Sequence, residues 1–190
     1  MSSPENLLEF QKRQLDHDQQ YHQDIYTLPY PERMNHYVLH FSKYVGRLSR
    51  DYTDEMRQEQ LEKTLADSTI VVFAAANTLN LDLETELEEM FGVEATSIEE
   101  WGQELNPADD SMDSEEVQDW LLNRMATPTG RMSNAMESLD HMEPMNVRNI
   151  LEEETVEILS GLLIAMDNLN IDLGSILDER WKKIEEESIL

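Results

Sequence analysis

Apolar residues recur along this chain at three- and four-residue spacing, the pattern of helices that bury one face. The clearest case is residues 32–52. There Met34, Tyr37, Val38, Phe41, Tyr44, Val45 and Leu48 form one stripe, and His36, His40, Lys43 and Arg47 follow one another beside it. Residues 4–26 read as a weaker, Gln-rich helix with Pro4 and Glu5 in its first turn. Pro29 and Pro31 then turn the chain. The next helix, capped by Thr53 or Asp54 and running to about Asn80, contains LEKTLADSTIVVFAAANTLNLDL at residues 61–83. Its run Ile70–Ala76 is wholly apolar, which predicts a helix buried nearly all round. The stretch is too short and too interrupted to span a bilayer.

A similar stretch returns ninety positions later, EETVEILSGLLIAMDNLNIDL at residues 153–173. TLNLDL lines up with NLNIDL, Asp67 with Glu157 and Phe91 with Trp181, without a gap, as in an internal repeat. Asp82 and Asp172 are placed to cap short helices ending at Gly92 and about Ile184. Residues 93–113 are acidic and carry Gly102 and Pro107, which predicts a linker. Ser114 can cap a helix turning Val117, Trp120 and Leu121 inward. Thr127-Pro-Thr-Gly130 predicts an interruption, residues 132–139 a short amphipathic piece, and residues 141–144 a turn before a long helix over 146–170. The expectation is all-α: a helical bundle of two four-helix units, 1–92 and 114–190, joined by 93–113.

Charge changes the picture. The 190 residues hold 41 acidic and 14 basic side chains, a net charge of −27, with no Lys or Arg between Thr64 and Asn123. Such a surface repels phosphate backbones, which argues against direct nucleic-acid binding. Three explanations compete: a halophilic cytoplasm, a surface that mimics nucleic acid or docks a basic protein partner, and a metal cluster. With no cysteine, signal peptide or transmembrane segment in view, a cytoplasmic protein without membrane contact is expected.

LEKTLADSTIVVFAAANTLNLDLE resembles the third helix and following turn of the MazG-like all-α nucleoside triphosphate pyrophosphohydrolases. In that family a Glu-x-x-Asp helix leads into a buried apolar run. The helix before it carries Glu-Glu-x-x-Glu, matched here by Lys43-Tyr-Val-Gly-Arg-Leu48, which keeps Gly46 and Leu48. The resemblance covers residues 32–92 and, through the repeat, 113–187. It implies a hydrolase cleaving a nucleotide substrate to monophosphate and pyrophosphate, with carboxylates on two packed helices holding Mg²⁺.

The first copy departs from that pattern. Lys43, Tyr44 and Arg47 stand at acidic places, Thr64 replaces a Glu, and Asp67 alone persists. In the second copy Glu154 and Glu157 occupy the Glu-x-x-Asp places and Glu137 the last upstream one, while Ser133 and Asn134 fall where two acids are expected. Glu137, Glu154, Glu157 and Asp67 are therefore the metal candidates the resemblance implies, completed between repeats or across a homodimer. Residues 152–154 also read simply as an acid-rich first helical turn.

Lys43, Arg47, Arg180 and Lys183 are the nucleotide-binding candidates. Lys43 and Arg47, like Arg50, serve equally as ion-pair partners of Glu59, Glu62 or Asp67, and Arg180 and Lys183 as cations favoured near a helix C-terminus. His36 and His40, one turn apart, could share a metal but have no third His or Cys nearby. The functional alternatives are a divergent pyrophosphohydrolase with reduced or lost activity and a non-catalytic acidic interaction protein.

Overall fold

A computed structural model describes residues 6–95, 97–106 and 112–187, and every regular element among them is helical. In order these are α1 (Leu7–Tyr21), α2 (Gln23–Tyr26), α3 (Tyr30–Leu48), α4 (Asp54–Leu79), α5 (Leu83–Phe91), α6 (Ile98–Leu105), α7 (Ser114–Asp140), α8 (Val147–Asn168) and α9 (Leu173–Glu187). None is long and apolar enough to cross a membrane.

The apolar stripes explain the packing. From Leu65 to Ala76 every residue of α4 is buried, because α1, α3, α7, α8 and α9 all lie against it. The buried residues of α8 between Leu151 and Met166 are covered by α4, α5, α6 and α7. Polar side chains inside these helices bond to their own backbone. The Thr69 and Thr155 hydroxyls donate to the carbonyls of Leu65 and Leu151 at 2.8 and 2.6 Å.

The two Asn-x-Asp turns at residues 80–82 and 170–172 have the same build. Asn80 and Asn170 take left-handed backbone, φ 60° and 52°, which asparagine tolerates. The amides of Leu81 and Ile171 reach back to the carbonyls of Ala76 and Met166, each at 2.9 Å. Asp82 and Asp172 then accept from the amides of Thr85 and Ser175. Leu83, Leu87, Leu173, Leu177 and Trp181 all point into the core.

The structure corrects four expectations. The helix expected over 4–26 begins at Leu7, capped by Asn6, and ends at Tyr21; His22 leaves helical geometry (φ −130°, ψ 42°) and α2 starts afresh. The stretch expected as a linker carries α6, whose Trp101 is 2% exposed and which packs on α8. Gly102 is the reason α6 fits. A Cβ there would stand 2.6 Å from the Asp167 Cβ and 2.7 Å from the Leu163 carbonyl oxygen, so a residue read as a breaker permits close helix approach. Pro107 to Ser111 lie outside the described residues.

Third, no interruption occurs at 127–130: α7 runs unbroken through Pro128. Pro128 leaves the Arg124 carbonyl without its helical donor. Burying Met125, Pro128, Thr129, Met132 and Met136 against neighbouring helices outweighs that one lost bond. Fourth, Asp113 rather than Ser114 caps α7, in a reciprocal capping box with Glu116.

Candidate functional site

A cavity of about 210 Å³ opens where α1, α2, α3, α4 and α9 meet. Helical spacing puts His36, His40, Lys43, Tyr44 and Arg47 along one side of α3, facing the Asp67 turn of α4. From α1, α2 and the residue between them come Gln14, Asp18, His22 and Tyr26, and from α9 come Arg180 and Ile184. Ile70, Val71 and Ala74 of α4 form an apolar wall.

One end is cationic. The buried Asp67 carboxylate accepts from Arg47 Nη1 at 3.0 Å and from Arg180 Nε at 2.5 Å, one oxygen for each arginine. Arg47 also lies over the Tyr44 ring, 5.2 Å from its centroid, as does the Lys43 ammonium at 4.7 Å. Lys43 Nζ stands 3.1 Å from His40 Nδ1, and the Tyr44 hydroxyl is equally close to the same nitrogen. An ammonium only donates, so Nδ1 is the acceptor and the ring proton sits on Nε2. Three cations thus surround one carboxylate.

Titration follows from this crowding. Burial, helped by Lys43 and His36, pushes the His40 imidazole down to about 4. Burial, with Arg47 and Arg180 repelling, lowers Lys43, against the pull of Asp67. Burial raises the Tyr44 phenol and pushes Tyr37 up to about 12.

The other end is different. The Trp181 indole N–H donates to Gln14 Oε1 at 2.7 Å, and Gln14 Nε2 donates to Asp18 Oδ1 at 2.7 Å. Burial raises Asp18 to about 7 and lowers His22. Behind them His17 is 6% exposed, and burial brings it down to about 4.

The expected metal residues are dispersed. Asp67 has both oxygens occupied by arginines. Glu154, 2% exposed, lies 2.9 Å from Arg131 Nη1, and Glu157 accepts from Arg124 Nη2 at 3.0 Å. These two glutamates and two arginines line a separate cavity between α7 and α8. Glu137 is exposed and does not line it. It stands six residues beyond Arg131, about 9 Å along the helix axis. As placed, the four carboxylates do not form a cage for Mg²⁺, whose oxygen ligands stand about 2.0–2.1 Å from the ion.

Of the nucleotide-binding candidates, Lys43, Arg47 and Arg180 converge on Asp67. Lys183 lies in an adjoining groove with Lys63, Glu59, Glu62 and Glu179, which Arg180 also borders. The exposed Arg50 is tied to α7 through its carbonyl, which accepts from Gln118.

Sequence reasoning did not single out His17, Asp18 and His22. The available signal was crowding, since four of the five histidines fall between residues 17 and 40. Comparison of the chain with protein-family models, curated proteins and solved structures finds no match.

Proposed function

We propose that the chain is a divergent tandem MazG-like bundle that binds a phosphate monoester of nucleotide type in the α1–α3–α4–α9 cavity, without the family's four-carboxylate hydrolysis. The observation that carries this reading is the excess of cations at Asp67. Lys43, Arg47 and Arg180 crowd one carboxylate on a chain of net charge −27, and an anion there relieves their repulsion. Asp67 holds the two guanidinium groups in place, and among the described residues the hydrogen-bond partner of the Lys43 ammonium is His40 rather than an acid. Tyr26, Tyr37 and the Ile70–Val71 wall give a flat ring an apolar seat. The cavity is smaller than the roughly 300–1,000 Å³ of a drug-sized site, so a nucleoside monophosphate fits better than a triphosphate with its metal.

The tandem reading rests on exchange of partners. Helix α5, which follows α4, packs on α8, while α9, which follows α8, packs on α4. Likewise α1 packs on α4 and α6 on α8, and α3 meets α7 as α4 meets α8. Swapping α1, α3, α4 and α5 for α6, α7, α8 and α9 maps these pairings onto themselves, as duplication of a helical unit would.

Calorimetric titration with nucleoside mono-, di- and triphosphates, in chelator and then in Mg²⁺, tests the proposal. Monophosphate is expected to bind without metal, and Arg180→Gln or Lys43→Met to weaken it about tenfold or more, the loss of one charge-assisted hydrogen bond. Absence of binding at millimolar ligand, or undiminished binding by both variants, overturns it. So does Mg²⁺-dependent triphosphate turnover that Glu154→Gln abolishes.

A further inference from the structure

His17, Asp18 and His22 are the residues whose metal-ligating atoms come together: among the described residues, one donor atom from each lies within 4.8 Å of the other two. The two imidazole rings stand 5.6 Å apart between centroids. His17 is 6% exposed, and both of its ring nitrogens are buried with no hydrogen-bond partner. Burying two such nitrogens unsatisfied is costly, and native histidines are rarely left so. Asp18 is oriented by the Gln14 amide, which the Trp181 indole fixes in turn, a supporting shell of the kind that aims a carboxylate at a metal. The nearby Arg13 guanidinium is turned away, paired with Asp178 and stacked over the Trp181 ring. Asp18 and His22 line the cavity, so the cluster has an entry path.

We propose that His17, Asp18 and His22 form a three-residue site for one divalent transition-metal ion of the zinc class, with its open coordination position facing the cavity. Two imidazoles and one carboxylate suit Zn²⁺ or Co²⁺ and disfavour Mg²⁺, which takes oxygen ligands. Donors on one tetrahedral ion at about 2.1 Å stand about 3.4 Å from one another. The set therefore closes by little more than an ångström, within reach of side-chain rotation. The site shares no residue with the cationic end that takes the phosphate, although Tyr26 and Tyr37, the seat of the ring in that reading, stand beside it.

The test is titration of the chelator-stripped full chain with Co²⁺, followed by competition with Zn²⁺. The expected result is one Co²⁺ per chain, with the visible absorption of a low-coordinate site, displaced by Zn²⁺ and not by Mg²⁺. His22→Ala and Asp18→Asn should each weaken Co²⁺ by about 100-fold or more, beyond the 10–100-fold that loss of a supporting contact costs, with unchanged far-ultraviolet circular dichroism. Wild-type affinity in either variant overturns the proposal.

A second measurement needs no variant. Zn²⁺ should shift the ring-nitrogen resonances of His17 and His22. A shift confined to His36 and His40, whose centroids lie 4.5 Å apart on α3, places the ion elsewhere and overturns the proposal equally. Phosphate-ester binding is measured in chelator, so failure of one proposal is distinct from failure of the other.

Discussion

Replacing Asp67 with asparagine should move stability and anion affinity in opposite directions. The carboxylate side chain is 7% exposed and pairs with both Arg47 and Arg180, themselves 16% and 22% exposed. Removing one partner of a buried ion pair typically costs about 3–5 kcal/mol, because the remaining charge stays desolvated. Both arginines retain some water, so the lower end applies, about 3 kcal/mol. For a chain of this size that lowers Tm by about 6–12 °C. Urea unfolding followed by circular dichroism measures it, and Asp67→Asn combined with Arg180→Leu should recover part of the loss, since fewer stranded cations remain.

The same substitution releases two guanidinium groups towards the cavity. Asp67→Asn is therefore expected to bind a nucleoside monophosphate more tightly, by up to about tenfold, one charge-assisted contact. A stability loss under about 1 kcal/mol would show that the pair is solvated and the argument wrong. A variant that is less stable and also weaker for phosphate would mean that holding the arginines in place outweighs the charge they regain, and would refute the expected gain.

Three further outcomes rest on particular contacts. Gly102→Ala should destabilise the chain by about 1–3 kcal/mol and alter Trp101 fluorescence, because the new methyl meets the Leu163 carbonyl and Asp167 Cβ, neither of which can rotate away; unchanged unfolding would refute it. His40 titrates lower in the fold than its ordinary 6.5, so between about 4 and 6.5 the unfolded chain binds its proton and the folded chain does not. Its contribution to stability is therefore present above pH 6.5 and is lost as pH falls towards 4. Lys43→Met removes one repelling charge and should raise the His40 value measured by nuclear magnetic resonance, whereas no rise would assign the shift to burial alone.

The helices were legible wherever one apolar face repeated. The stripe from Met34 to Leu48 lies in the core, and Asp82 and Asp172 cap their helices as their spacing suggested. Local punctuation misled where tertiary contact outweighed it. Pro128 is kept inside α7 by burial, and Gly102 serves helix contact rather than a break. The acidity of residues 93–113 hid α6, because Ile98 and Trp101 supply its buried face among many acids.

At the cavity, the stripe from His36 to Arg47 was visible as a row, but its partner was not. Arg180 lies 113 positions from Asp67, and nothing local announces that meeting. His17, Asp18 and His22 escaped notice because their approach depends on the helix ending at His22.

The reciprocal covering of the two central helices bears on how the chain is made. Helix α4 is complete at Leu79, yet α9, which shields part of it, begins at Leu173. At about 5–20 residues per second a ribosome takes roughly 5–20 s to deliver the intervening chain. During that interval α1 and α3 can already lie against α4, but the face that α7, α8 and α9 cover in the finished fold is still without its partners. A polypeptide cut between α6 and α7 would, by the same token, yield fragments that need each other and are best produced together.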